Sequence, residues 1–240
     1  MSNNSDSTFK SSRTRNLIIL LTILLFPTLL YFFLATGKHN FISLPIYGER
    51  EVVSYVVDGK EVTDTLYHTI PDFSFVNQNG ETITKKDLTG KIYVANYFFA
   101  TCPTICPKMS ANIKYVQDRF SETPDVYFIS HTVNPEHDSV PVLADYAKMV
   151  HANNERWFFV TGNKEELYRL ALEGYLLNAN EDVLAPGGFL HSEQLVLVDK
   201  EGRIRGFYDG TNLSEVKKNL IDDIKLLMAD YMKPRKEKKK

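Results

Sequence analysis

Both cysteines of this sequence, Cys102 and Cys106, lie directly after an unbroken apolar and aromatic run, Ile92 to Phe99. A short run of branched and aromatic residues without a breaker predicts a buried strand. Beyond the cysteines, Pro107 suits the first position of a helix, and Met109, Ile113, Val116 and Phe120 follow at helical spacing. Two thiols are therefore expected in the turn between a central strand and a helix. The free amides and positive end of that helix favour thiolates, and Lys108 adds a cation beside them. A chain that buries this strand and packs this helix on it is an α/β chain with a reactive or metal-binding corner.

Strand and helix signals alternate on either side of the corner. Val52 to Val57 and Glu61 to Tyr67 flank Asp58-Gly59 and predict a small hairpin. Pro71 to Val76, Asn79-Gly80 and Thr82 to Thr84 predict a second one, and Asp87 to Lys91 a turn into the central strand. Val126 to His131 and Trp157 to Val160 read as further strands, with a helix from Ser139 through Val150 between them. A helix is expected from Lys164 to Leu177, with Leu167, Leu170, Ala171 and Gly174 on one face. Gln194 to Val198 and Arg203 to Tyr208 form a closing hairpin, and a last helix from Leu213 to Met232 turns Leu213, Val216, Leu220 and Leu227 inward. The expected architecture is a mixed central sheet with helices on both faces.

From Leu17 to about Ala35 the residues are almost wholly apolar, about the twenty residues that cross a bilayer, interrupted by Pro27 and two threonines. Lys10, Arg13 and Arg15 precede them, so residues 1–16 are expected in the cytoplasm and everything after the span outside it. A cleaved signal peptide has a shorter apolar core of about 7–15 residues. No cysteine follows closely, which excludes a lipid-modified amino end. The expected organisation is a tail at 1–16, a transmembrane anchor at 17–36, a linker with a hairpin at 37–70, one domain at 71–232 and a basic tail at 233–240. A plasma (inner) membrane location with the domain on the periplasmic side places the thiols in an oxidising compartment. A Ser-rich, Arg-bearing amino end leaves the mitochondrial inner membrane as an alternative. With a net charge of −2 and nothing basic spread over the body of the chain, nucleic acid is set aside as a partner.

Three chemistries fit Cys102 and Cys106. A structural disulfide would close a short loop and restrain little of the unfolded chain. Thiol-disulfide exchange suits the strand-to-helix corner, although the three intervening residues give a wider bite than the two of most dithiol enzymes. A metal is the third, with both thiolates on one ion and a further ligand from elsewhere. Among the six histidines, His39, His68 and His151 read as surface residues; His131 and His137 follow a strand ending at the rim of the cysteines. His191 is the strongest candidate, since a Pro186-Gly187-Gly188 loop precedes it and a strand follows. Two soft thiolates and one imidazole fall short of the four protein ligands of structural zinc. They suit copper(I), and with an added oxygen or nitrogen, copper(II).

The motif Tyr97 to Pro107, the later Asn134-Pro135-Glu136-His137-Asp138, and Leu190-His191-Ser192 ahead of Leu197 to Arg203 together resemble the SCO/SenC family. The resemblance covers about Pro71 to Met232 together with the anchor. It implies a thioredoxin-like fold, a membrane tether, and copper held by Cys102, Cys106 and His191. It further implies delivery of that copper to the subunit of cytochrome c oxidase that carries the dinuclear copper centre, with a thioredoxin-like reductant as a second partner. The chain departs from the family pattern at Asn134 and Leu190, where the family usually has aspartates. Thiol-disulfide exchange on the oxidase subunit's cysteines is the alternative function, and peroxide reduction at one cysteine is a third.

Overall fold

The computed structural model describes residues 7–36, 43–57, 59–177 and 192–232. It divides into two units, Met1–Ile42 and Ser43–Lys240. The first contains one helix, α1 (Ser7–Thr36), within which Thr14–Phe33 is long and apolar enough to cross a membrane, with a mean hydropathy of 2.3. The helix begins ten positions before the apolar run. Its polar interruptions are absorbed locally: the Thr22 hydroxyl donates to the Ile18 carbonyl at 2.8 Å, and Thr28 does the same to Leu24.

In the second unit, β1 (Arg50–Val57) and β2 (Lys60–Tyr67) pair antiparallel into a separate two-stranded sheet. Then follow β3 (Ser74–Asn77), β4 (Thr82–Thr84), α2 (Lys85–Leu88), β5 (Ile92–Phe98), α3 (Ile105–Arg119), β6 (Val126–Thr132), α4 (Val140–Met149), β7 (Trp157–Thr161), α5 (Lys164–Arg169), β8 (Gln194–Val198) and β9 (Ile204–Asp209). Helices α6 (Leu213–Glu215) and α7 (Ile221–Met232) close the described chain. The main sheet has the order β4-β3-β7-β6-β5-β8-β9, parallel through β7, β6 and β5 and antiparallel outside them.

Every residue of β5 is buried, as a central strand covered on both faces requires. One face carries Phe98 and Phe159, which meet Tyr146 of α4 at centroid distances of 4.9 and 5.5 Å. On the other, the Tyr97 hydroxyl donates to the Leu167 carbonyl of α5 at 3.0 Å. The expectation of a mixed sheet with helices on both faces holds.

The structure corrects four expectations. A short helix, α2, occupies part of the turn before the central strand, because the Asp87 carboxylate takes the Thr84 amide and hydroxyl, both at 2.7 Å. Helix α5 continues through a π-helical turn (Leu170–Gly174), and a second π-helical turn (Val216–Leu220) joins α6 to α7. Leu213, expected inward, is 41% exposed, since it lies in the first turn and only Val216 onward reaches the sheet. His68, expected at the surface, is half-buried and its ring bonds the Gly174 carbonyl at 2.8 Å.

Candidate functional site

The corner after β5 is built by backbone hydrogen bonds before any side chain acts. The Val133 amide donates to the Phe98 carbonyl at 2.9 Å, and the Cys102 amide to the Phe99 carbonyl at 3.1 Å. Helix α3 starts at Ile105, two residues earlier than expected, so Pro107 stands third rather than first in the helix. First-turn amides have no intrahelical acceptor, so a proline there removes nothing. Cys106 is thereby drawn into the first turn. The N-cap residue Thr104 makes no side-chain cap bond, and the Cys106 amide instead donates to Cys102 Sγ at 3.4 Å.

Both thiols are free and buried, but unequally: Cys102 is 8% exposed and Cys106 2%. Burial alone raises a thiol pKa. At Cys102 that effect is outweighed by hydrogen bonds from the Cys106 thiol and the Thr104, Cys106 and Ile105 amides, so its pKa falls below the ordinary value. At Cys106 burial dominates, the Cys102 thiol and the nearby Asp138 charge act in the same direction, and the pKa is pushed up to about 12. The corner therefore holds one thiolate-prone outer sulfur and one proton-retaining inner sulfur.

Asp138, fully buried, braces the corner from the loop after β6. Its carboxylate accepts from the Ala100 amide at 3.1 Å and the Thr132 hydroxyl at 2.5 Å, and pairs with His137 Nδ1 at 2.8 Å. Thr132 Oγ1 in turn accepts the Asn134 amide at 2.9 Å. Asp138 belongs to a motif quoted from the sequence, but its bracing role has no local signal. At the rim, the Lys164 ammonium stands 3.7 Å from Glu136, and Lys108 is exposed.

The histidines separate sharply. His131, expected at the rim, lies within β6 and is wholly buried. Its ring stacks on Tyr97 at 4.9 Å and meets Phe73, Phe75 and Tyr175 edge-on at 6.2, 5.9 and 5.3 Å. The strand pairing sets Tyr97 directly opposite His131, which turns both rings to the α5 face and away from the thiols. Neither ring nitrogen has a hydrogen-bond partner. Burial depresses its pKa to about 3, against a weak pull from the Asn96 backbone that does not reach hydrogen-bonding geometry. His137 is half-exposed and bound to Asp138, and His151 is exposed. His39, His191, Leu190 and the Pro186-Gly187-Gly188 loop lie outside the described residues. Among the described residues, no group of three histidine, cysteine, aspartate or glutamate side chains could hold a metal ion.

A family model described as SCO1/SenC matches residues 62–229. The SCO1 protein homolog of Bacillus subtilis (strain 168) is 29% identical over 172 residues, 70% of this chain and 86% of that protein. The solved structure of BsSco, described as a member of the Sco family of cytochrome c oxidase assembly proteins with a disulfide switch, is 28% identical with a TM-score of 0.57. The match covers 69% of this chain and 95% of that one. Arabidopsis thaliana ScoI, solved with copper bound, is 25% identical with a TM-score of 0.54, covering 65% of this chain and 97% of that one. The mixed sheet, with its dithiol corner between the central strand and α3, is thioredoxin-like. By the family model, which matches more than half of its length, the chain belongs to the SCO1/SenC family.

Proposed function

We propose that this protein is a membrane-anchored copper carrier for cytochrome c oxidase assembly. It takes copper on Cys102, Cys106 and His191 and passes it to the copper-accepting oxidase subunit. The observation that carries this reading is the pair of sulfur donors gathered at the start of α3, one of them held toward the thiolate by backbone amides. Such donors are soft and suit copper(I). Copper bound to a related Arabidopsis protein supports the same assignment. His191 supplies the imidazole in this reading, on the strength of its place in the family motif. The cargo leaves by ligand exchange, one sulfur bond at a time, as the client's ligands replace those of the carrier.

The apolar Thr14–Phe33 segment is read as a retained anchor, with residues 1–16 cytoplasmic and residues 37–240 on the periplasmic side of the plasma (inner) membrane. In this layout residues 37–70 link the anchor to a copper-binding domain at 71–232, followed by a basic tail at 233–240. Titration of the reduced chain with copper(I) against a competing chelator tests the site. The expected result is about one equivalent bound, weakened in His191→Ala and lost in Cys102→Ser. Absence of binding near one equivalent in the unaltered chain would refute it.

A second reading rests on the unequal thiols. Cys102 as thiolate attacks a disulfide of the client, releasing one client sulfur as the leaving thiolate and forming a mixed disulfide. Cys106 then loses its proton and displaces Cys102's client partner, leaving a Cys102–Cys106 disulfide and a reduced client. A thioredoxin-like dithiol would restore the pair. This activity survives His191→Ala but not loss of either cysteine, which separates it from copper carriage.

A further inference from the structure

The β1–β2 hairpin has two free edges of different chemistry. Its strands pair with each other over residues 50–57 and 60–67 and with no other strand of the described residues. The base is fixed: the His68 amide donates to the Glu49 carbonyl at 2.8 Å, and the Tyr47 amide to the Ile204 carbonyl of β9 at 3.0 Å. At Gly48 the backbone turns through a φ of +100°, and an added Cβ would come within 2.5 Å of His68 Cβ, so the base closes tightly. Beyond that base, among the described residues, the two strands are exposed except at the partly buried Val53 and Thr65. Val52, Tyr55, Val56 and Val57 are 66, 47, 70 and 46% exposed.

Free sheet edges are normally blunted by charge, proline or a bulge. The β2 edge follows this rule with Lys60, Glu61 and Asp64; β1 has Arg50 and Glu51 at its start and then runs Val52-Val53-Ser54-Tyr55-Val56-Val57 with no charge, proline or bulge. An unpaired, uncharged run of six residues that favour extended backbone is a template for another strand.

We propose that β1 pairs antiparallel with β1 of a second copy of this chain, about a twofold axis at Ser54, to form a four-stranded sheet. In that register Val52 meets Val56, Val53 meets Tyr55 and Glu51 meets Val57. Apolar pairs thus oppose one another and no like charges do. The same strand serves both copies, as a twofold interface requires. A second copy is favoured because Arg50 follows the end of α1 at Thr36 by a fixed short length of chain. Copies anchored in one bilayer are held at raised effective concentration. By sequence the hairpin carries Glu51, Asp58, Glu61 and Asp64 against Arg50 and Lys60, an acidic excess that disfavours an anionic bilayer surface as the covering partner. A pair of short strands buries less than the roughly 1,200–2,000 Å² of a stable interface, so pairing depends on the shared membrane. The inference draws on the anchor reading and is independent of the copper site.

Ser54 and Thr63 face each other across the hairpin, with their hydroxyls 3.4 Å apart, and so form a matched pair for cross-linking. In the full chain reconstituted in phosphatidylcholine vesicles, with Cys102 and Cys106 replaced by serine, Ser54→Cys and Thr63→Cys are treated with a short thiol-specific bifunctional reagent. Strands lie ~4.8 Å apart, so Ser54→Cys is expected to give at least about tenfold more covalent dimer than Thr63→Cys, one strand further from the axis. Adding Val56→Lys should abolish the dimer while the far-ultraviolet circular dichroism is unchanged. Equal yields at the two positions, or no dimer at Ser54→Cys, overturn the proposal. So does a blue-shifted Tyr55→Trp emission in vesicles without dimer, which would assign the bilayer as the covering partner.

Discussion

The Cys106 amide points at Cys102 Sγ from 3.4 Å, so the first sulfur of the pair occupies the place of a helix-capping side chain. The N-cap residue itself makes no side-chain cap bond. A helix start satisfied by sulfur ties the ionisation of Cys102 to the formation of α3.

Unequal thiols predict ordered alkylation. The lowered pKa of Cys102 gives it a larger thiolate share at pH 7 than an ordinary cysteine, whereas Cys106, raised to about 12, stays protonated. With limiting iodoacetamide on the reduced chain, peptide mass spectrometry should find Cys102 modified first throughout pH 6–9, a window set by the reference thiol pKa of about 8.5. Cys106 should react only after denaturant is added. Equal labelling of the two would contradict the assigned asymmetry.

Asp138 predicts a stability effect that reaches the thiols. Asp138→Ala leaves the Ala100 amide and the Thr132 hydroxyl without their acceptor inside the fold. The loss should be about 1–3 kcal/mol per stranded group in urea unfolding. Because Ala100 precedes the cysteine motif, Cys102 alkylation should lose its preference over Cys106 in the same variant. Asp138→Asn, which keeps the acceptor oxygen, should restore part of both.

His131 predicts acid sensitivity with a defined origin. Its folded pKa of about 3 lies below an unfolded value of 6.5, so the unfolded chain binds the proton first. The stability that neutral His131 contributes is complete above pH 6.5 and is lost as pH falls toward 3, by up to about 1.4 kcal/mol per pH unit. Urea unfolding of the chain from Ser43 onward should show that slope between pH 6 and 4. His131→Phe, which keeps the stack on Tyr97, should flatten it.

Arg205 predicts the fate of the chain segment just before the hairpin. This guanidinium, 5% exposed, donates to the Leu44 and Pro45 carbonyls at 2.7 and 2.9 Å and to Asp199 at 2.8 Å. Arg205→Met should destabilise the domain by roughly 2–4 kcal/mol, reduced from a full orphaned pair because Arg203 still reaches Asp199. Limited proteolysis should then cut near residues 43–47 before the rest of the fold. Unchanged protection there would mean that Tyr47, whose ring packs on Phe207 at 5.2 Å, holds the segment without the arginine.

The sequence alone determined the features that depend on neighbours along the chain. The runs of β5, β6 and β7 have the composition of covered strands, and the cysteines follow one of them, so a strand-to-helix dithiol corner was legible before any contact was known. The apolar stretch of α1, long enough to cross a membrane, was equally local, because sustained apolarity is read without any tertiary partner. Tertiary structure alone decided what becomes of isolated polar groups. His131 resembled a rim ligand by position, yet the β5–β6 register turned it into an aromatic enclosure beside Tyr97. Asp138 and Arg205 acquired their roles from carbonyls, amides and hydroxyls contributed by distant parts of the chain. Apolar periodicity fixes which elements form, since each run must leave water somewhere. Where a buried charge or imidazole finds its partner depends on which segments fold over it, and that information is spread across the whole chain.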